Sequence, residues 1–535
     1  MSPVALLADV ATPRVDWPII APIVAMFGAA LVIVILRATL RTRGELVRVL
    51  SIVATFVGLA TAAAFVINEW RIVNDDKHIC ATLHEACYVT FNGAIAVDGL
   101  TVFVQAVVLI AATLGVLLAI GYLQSEQLET AEYLVLLLLA ATGMMVMAHA
   151  NDLILVFVAL EVFSIALYIL SAFDRRRAES QEAGLKYFVL GSFSSAIFLY
   201  GIALTYGATG TTSLAGFGSG TAVHGGIAQY LAANPGGKHG LLLAGVALML
   251  VGLAFKIAAV PFHMWTPDVY QGAPTPVTAF MSAATKVAAF AALLRIFAGS
   301  FSTIASDWRP IVYVLAVASL VVGTIAAAMQ RDVKRLLAYS SISHAGYVLI
   351  GVQVANAGGG SSRFPGTQAA LFYLLAYAVM VIGAFGVVQV VNHRGDSHHE
   401  ISDYRGLARR SPVLAGLLTL FLLAQAGVPF TSGFIAKLVV FRAAVDAGQY
   451  QLALVGMLAS VIGAYVYLRV VLAMYAPADG DTHEESIDTE AARPRVDWGS
   501  GLALTLASAG VLAMGILPGW FISVAHQATQ LLAAR

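Results

Sequence analysis

The stretch Lys256-Ile257-Ala258-Ala259-Val260-Pro261-Phe262 decides the reading of this chain, because its closing tripeptide returns as Val428-Pro429-Phe430, with Lys437 just downstream. Each copy lies inside an apolar run long enough to cross a bilayer. A proline interrupts the hydrogen-bond ladder of such a helix, and a lysine within hydrocarbon is costly. Finding both defects together, twice, predicts two related halves that each bury a charge beside a broken helix, the pattern of a transport pathway.

The surrounding composition agrees. Of the 535 residues, 59% are hydrophobic and only 11% charged, with a mean hydropathy of +0.85. A soluble chain lies nearer 45–50% apolar. Repeated continuous runs of about 20 apolar residues predict an all-α polytopic membrane protein and disfavour a barrel, whose strands would alternate. Thirty basic and thirty acidic residues balance to a net charge of +0, with no sign of nucleic-acid binding. The residues up to Trp17 lack the basic start, apolar core and cleavage site of a secretory leader, so the first span is expected to serve as its own insertion signal. Cys80 and Cys87 share one loop and have no companion cysteines for a zinc or iron–sulfur site. A local disulfide and two inert thiols are both open readings.

Hydropathy and helix length predict about fourteen spans, near 17–36, 47–68, 96–122, 132–149, 152–172, 183–206, 240–262, 272–298, 310–329, 334–353, 367–391, 411–441, 451–475 and 499–523. The two Val-Pro-Phe breaks fall in spans 7 and 12, five spans apart. Five is odd, so the two copies enter the membrane from opposite sides, as an inverted repeat. Residues 132–298 form the first five-helix repeat and 310–475 the second. They are flanked by a three-span segment, 1–131, and by 476–535, an acidic loop with the last span. A weaker echo pairs Asn151-Asp152 at the start of span 5 with Arg331-Asp332 at the start of span 10. Arginine and lysine cluster in the loops after spans 1, 5, 9 and 11 (Arg37 to Arg48, Arg175 to Arg177, Arg331 to Arg335, Arg394 to Arg410), all on one side. That side is expected to be cytoplasmic, with both termini outside. Residues 207–239 are expected to pack over the outer face and the acidic loop 476–498 to be solvated.

Six of the ionisable residues within predicted spans stand out as candidates for a buried pathway. Glu161, nine residues past Asp152, is roughly 13 Å into its helix. Lys256 is its natural partner, since Pro261 should unwind the helix and expose backbone that an ammonium can satisfy. Burial disfavours the charged amine and a carboxylate favours it, so a lysine held between the two can exchange a proton when its partner moves. Lys286, among Ala283, Ala284, Thr285, Ala288 and Ala289, is too deep to snorkel easily. Lys437 lies roughly 12 Å past Pro429, where snorkelling competes. Lys186 is only a few residues into span 6, and His344 sits in the hydroxyl-rich Ser340-Ser341-Ile342-Ser343-His344, as a proton relay or a packing histidine. No single helix carries this row, so it runs sideways across the bundle.

The run from Lys256 to Phe280, with His263-Met264-Trp265-Thr266-Pro267-Asp268-Val269-Tyr270-Gln271-Gly272 at its centre, closely resembles the core motif of the antiporter-like membrane subunits of bacterial respiratory complex I, the NADH–quinone oxidoreductase. The resemblance extends from Asp98 through span 14. Within that family, Glu182 to Ser195 and Arg335 to His344 look most like the subunit N branch, and Lys437 fits it, since subunit M is expected to carry glutamate there. The long lateral helix of subunit L is not expected. The resemblance implies that Glu161 and Lys256 form the ion pair of a first half-channel, that Lys286 connects the halves, and that Lys437 ends the second. Lys186 and His344 would belong to the same hydrated axis. It implies a proton-translocating subunit in the inner membrane, beside subunits M, L, K and J, driven by quinone reduction elsewhere. NADH, FMN, iron–sulfur clusters and quinone would be bound by partner subunits, and no cofactor or metal by this chain. A sodium/proton antiporter subunit, a membrane-bound hydrogenase subunit and a non-pumping structural subunit are the competing readings.

Overall fold

A computed structural model describes residues 15–41, 43–75, 89–216, 225–235, 240–355, 365–392, 396, 399–477 and 496–533. Cys80, Cys87 and the acidic residues between Asp479 and Glu490 lie outside them. Apolar runs become helices because hydrocarbon offers no partner for backbone N–H and C=O groups, which an α-helix satisfies internally. In chain order these are α1 (Trp17–Thr39), α2 (Gly44–Asp75), α3 (Gly99–Ser125), α4 (Thr130–His149), α5 (Leu153–Ser171), α6 (Ala178–Thr209), α7 (Ile227–Ala233), α8 (Gly240–Lys256), α9 (Trp265–Gly272) and α10 (Thr275–Leu293). Then follow α11 (Ala305–Met329), α12 (Val333–Gln353), α13 (Gly366–Val391), α14 (Leu407–Arg410), α15 (Pro412–Ala426), α16 (Ser432–Asp446), α17 (Tyr450–Tyr475), α18 (Trp498–Ile516) and α19 (Pro518–Ala533). A two-residue hairpin, β1 (Val89–Thr90) against β2 (Ile95–Ala96), is the one sheet among the described residues.

Eleven helices among the described residues are long and apolar enough to cross a membrane, which makes the chain an all-α, multi-pass membrane protein. Helix α10 is buried along its length and α13 nearly so; they form the core. Helices α6 and α17 turn large apolar side chains outward, Phe193 at 69% and Leu472 at 70% exposure, as a lipid-facing surface requires. Glycines allow close approach where these helices cross. A Cβ on Gly433 would lie 1.8 Å from the carbonyl oxygen of Ala424, so α16 can approach the end of α15 only through glycine.

Three of the apolar runs read as spans are interrupted, the two that carry Val-Pro-Phe and the last. The run near 240–262 ends as a helix at Lys256, ahead of Pro261, and resumes at Trp265. The residue before a proline avoids the helical region and proline has no N–H to donate, so the chain leaves the helix early. Here Ala258 takes a φ of 60°, and the N–H of Val260 donates to Ser319 Oγ instead, at 3.0 Å. The run near 411–441 is two helices, parted at Gly427 (φ +89°) and Pro429. The run near 499–523 parts at Pro518. Asp98, Asp152, Asp332 and Asp497 cap α3, α5, α12 and α18 by accepting backbone N–H bonds.

Two buried ion pairs tie the helix ends. At one end Arg295, in the π-helical turn that continues α10, holds Asp98 with two bonds of 3.0 Å and also donates to Thr101 Oγ1 and the Ala148 carbonyl. At the other end Asp396 is 3% exposed and gathers Arg177, Lys334, His399 and Thr275. Burial alone would raise the Asp396 carboxyl, but Lys334, His399 and Arg177 hold it well below the usual carboxylate range.

Breaking one side of a buried pair costs about 3–5 kcal/mol. Arg295→Met should therefore lower the unfolding temperature of the purified protein sharply or prevent its assembly, as read by scanning fluorimetry and native gels. Asp396 titrates lower folded than unfolded. Its stabilisation is complete above the ordinary carboxylate value of about 4 and is lost as pH falls below it. Asp396→Asn should accordingly lower thermal stability at pH 7 and flatten its fall on the acid side.

Candidate functional site

Lys256 closes α8 and is 2% exposed. Its Nζ faces three rings, Phe163 at 5.2 Å and Tyr168 at 5.3 Å from α5, and Tyr187 at 5.1 Å from α6. The ring faces carry partial negative charge and attract a cation. Tyr187 stacks on Trp265, the first residue of α9, with centroids 4.5 Å apart. The Trp265 indole N–H in turn donates to the Phe255 carbonyl at 3.0 Å, so the helix break itself braces the box. Glu161 lies on α5, two residues before Phe163. The expected direct ion pair is not formed: no Glu161–Lys256 contact falls within 4.0 Å, and Glu161 Oε1 and Lys256 Nζ are both buried without a hydrogen-bond partner. The rings occupy the space nearest the ammonium.

The second half is held by hydrogen bonds. Lys286 in α10 is buried and donates to the backbone oxygen and the hydroxyl of Ser341 on α12. Tyr377 on α13 donates to the same hydroxyl at 2.8 Å. The neighbouring Ser340 is hydrogen-bonded to Tyr467 on α17 and donates to Gln425 Oε1 at 3.2 Å. His344 links Tyr373 at Nδ1 (2.7 Å) and Tyr467 at Nε2 (3.2 Å). Lys437, on α16, donates to the carbonyls of Gln425 (2.9 Å) and Ala426 (2.8 Å) and to Ser460 (2.9 Å). Those carbonyls are freed where α15 stops, and a helix C-terminus favours a cation. Lys437 does not snorkel; it is 6% exposed.

The structure thus brings Lys286, His344 and Lys437 together through the serines of α12 and the tyrosines around them. It does not bring Lys186 into this group. Lys186 has a 40% exposed side chain and pairs with Glu182 (2.6 Å) and Asp268 (2.8 Å), at the arginine-rich end of the bundle. Arg335 joins the same carboxylate at 2.7 Å and donates to Gln271 at 2.9 Å. Sequence reasoning passed over Asp268, although it stands inside the quoted motif. It also passed over Tyr467, Tyr373 and Gln425, which come from helices remote in sequence and carry no local signal. Among the described residues no group of three His, Cys, Asp or Glu side chains could hold a metal ion.

Comparison with known proteins follows this geometry. The NADH:quinone oxidoreductase/Mrp antiporter transmembrane family matches residues 150–463. NADH-quinone oxidoreductase subunit N of Trichlorobacter lovleyi is 42% identical over 83% of this chain and 86% of its own length. That of Mycobacterium tuberculosis is 39% identical over 97% of this chain and 99% of its own. Among solved structures, a chain of respiratory complex I from Thermus thermophilus is 33% identical, with a TM-score of 0.71 over 94% of this chain and 98% of that one. A chain of an archaeal membrane-bound sulfane sulfur reductase shares the fold at 22% identity, with a TM-score of 0.76 over 97% of this chain and 99% of that one. Buried lysines set beside broken helices, on a fold common to these complexes, place this chain in the subunit N family of NADH-quinone oxidoreductases, the antiporter-like membrane subunits of a translocase.

Proposed function

We propose that this subunit carries protons across the inner membrane through Glu161, Lys256, Lys286, His344 and Lys437, driven by quinone reduction in partner subunits. One observation carries the reading. The ammonium groups of Lys256, Lys286 and Lys437 are 2%, 2% and 6% exposed inside a membrane bundle, and among the described residues none has a carboxylate within 4.0 Å. A charge at mid-membrane costs about 2.5–3.5 kcal/mol even on insertion scales. Such groups are easily driven between protonated and neutral forms by a small movement of a neighbouring charge.

In this mechanism Glu161 is the movable partner. Its approach favours the charged form of Lys256, and its withdrawal leaves the aromatic box to hold the charge alone. The proton then passes to Lys286, along the Ser341, Ser340, Tyr467 and His344 hydroxyl and imidazole groups, and to Lys437. Entry is through a cavity of about 430 Å³ lined by Glu132, Arg175, Gln181 and Tyr168, which runs from the arginine-rich end to the ring beneath Lys256. Lys186, with Asp268, serves at the mouth of this half rather than on the axis. Moving one charge against 100 mV costs about 2.3 kcal/mol, and one pKa unit is worth 1.36 kcal/mol, so swings of about two units suffice.

The same reading takes the chain as fourteen spans, with 1–131 as the N-terminal segment, 132–298 and 310–475 as two inverted five-helix repeats broken in spans 7 and 12, and 476–535 as the closing segment. Supporting it, Asp152 and Asp332 cap corresponding helices, and each forms an isolated bridge to a loop, with Ser213 and Glu400 respectively. The arginine-rich loops face the cytoplasm and both termini the outside. Subunits M, L, K and J are the expected neighbours.

In the assembled complex, Glu161→Gln and Lys256→Ala should each lower NADH-driven proton uptake into inverted vesicles at least tenfold, about 1.4 kcal/mol or more, at normal assembly. Wild-type pumping in both variants would exclude the mechanism. Tyr467→Phe removes the hydroxyl that joins Ser340 to His344. It should cost only about 1 kcal/mol of stability and still slow pumping several-fold, as measured by the same uptake assay beside a thermal melt.

A further inference from the structure

Away from the lysine row, α2, α3 and α4 close on an acid, an amide and an imidazole. Glu69 on α2 is 2% exposed, and Gln105 on α3 and His149 at the end of α4 are fully buried. Gln105 Nε2 donates to Glu69 Oε2 at 2.7 Å and lies 3.4 Å from His149 Nε2. His149 Nδ1 faces the Met145 carbonyl at 2.8 Å, an acceptor, so that nitrogen carries the hydrogen. Its Nε2 is the variable position, 3.7 Å from Glu69 Oε1. Two buried acceptors, Glu69 Oε1 and Gln105 Oε1, have no donor among the described residues. Turning the amide round would set its oxygen against the carboxylate. The group therefore holds more acceptors than hydrogens, and a buried unsatisfied carboxylate is expensive. A proton on His149 Nε2 makes the two an ion pair at 3.7 Å, and a proton on either group lets them close to a hydrogen bond with a small approach.

Glu69 also lines a cavity of about 390 Å³ with Asp16, Ile19, Val73 and Val97. It lies where α1 begins and α2 ends, at the end of the bundle opposite the arginine-rich loops. Asp16 adds a second carboxylate to its wall. Among the described residues, the charges nearest the group include the Asp98–Arg295 pair, whose Arg295 donates to the carbonyl of Ala148, next to His149. We propose that Glu69, Gln105 and His149 form a proton-binding site, separate from the lysine row, that exchanges with solvent through the Asp16 cavity.

The test uses the intact complex in native membranes and a hydrophobic carbodiimide, which attacks carboxyl groups only when they are protonated. Peptide mass spectrometry then follows Glu69 from about pH 5 to about pH 9. Glu69 should be modified with a pH midpoint, and His149→Asn should move that midpoint by roughly one unit, tenfold in proton affinity. If the proton rests on His149, modification of Glu69 should appear in His149→Asn alone, which also supports the site. Where that variant does not assemble, His149→Gln takes its place, so that wild type and variant are always compared. No modification of Glu69 in either protein, modification independent of pH, or a midpoint indifferent to His149 overturns the proposal. Protection by sodium ions at fixed pH would mark a metal-cation site and overturn it as well.

Discussion

The constraint on which the rest of this structure depends is the need to hold buried ammonium groups that, among the described residues, have no carboxylate within 4.0 Å. The fold answers it in two ways. At Lys437 the end of α15 supplies two carbonyl oxygens, released by the left-handed Gly427 and the following Val428-Pro429. At Lys256 the end of α8 supplies position, and three aromatic rings supply the field. At Lys437 the unpaired carbonyls of a helix C-terminus hold the ammonium directly, whereas at Lys256 the helix end places the ammonium among ring faces. Each proline break is thus the source of a cation site as well as a break in a helix.

The two halves differ in what they can do with a proton. Aromatic faces stabilise a charge but cannot accept a proton from it, so the box around Lys256 holds and does not relay. Around Lys286, His344 and Lys437 the side-chain links are hydroxyl, amide and imidazole groups able to both give and take hydrogen bonds, beside backbone carbonyls that only accept. In the proposed mechanism the first half is a gate set by Glu161 and the second a wire. Helix α12 joins them. It carries Ser340, Ser341, Ser343 and His344 between the buried α13 and the flanking α11 and α17, which makes it more polar than the eleven long apolar helices.

The framework around this axis is fixed at its two ends. Arg295 continues the same helix that carries Lys286 and locks it to the start of α3 through Asp98. Asp396 ties the starts of α10 and α12 to Arg177 before α6. Buried pairs of this kind add little net stability over apolar packing but penalise any other arrangement. They hold the helices in register from the two ends of the bundle.

Much of this was legible in the residues. Apolar run length alone gave a polytopic α-helical protein, because a bilayer permits few other ways of satisfying the backbone. The prolines marked where helices break, although the break at Lys256 comes before Pro261 and not at it. The depth of Lys256, Lys286 and Lys437 followed from counting along a helix of known rise. Partnership was not legible. Glu161 and Lys256 were paired by charge, yet they make no contact within 4.0 Å, and the Lys256 ammonium faces rings from α5 and α6. Lys186, read as a possible member of the row, turns to Asp268 and Glu182 at the bundle's end. Tyr467, Gln425 and the Glu69–Gln105–His149 group had no local signature. The sequence by itself determined which groups enter the membrane and how deep, since both are set by hydropathy and helix geometry. Only the tertiary structure decided which of them meet, because that depends on how helices far apart in the chain rotate and pack against one another.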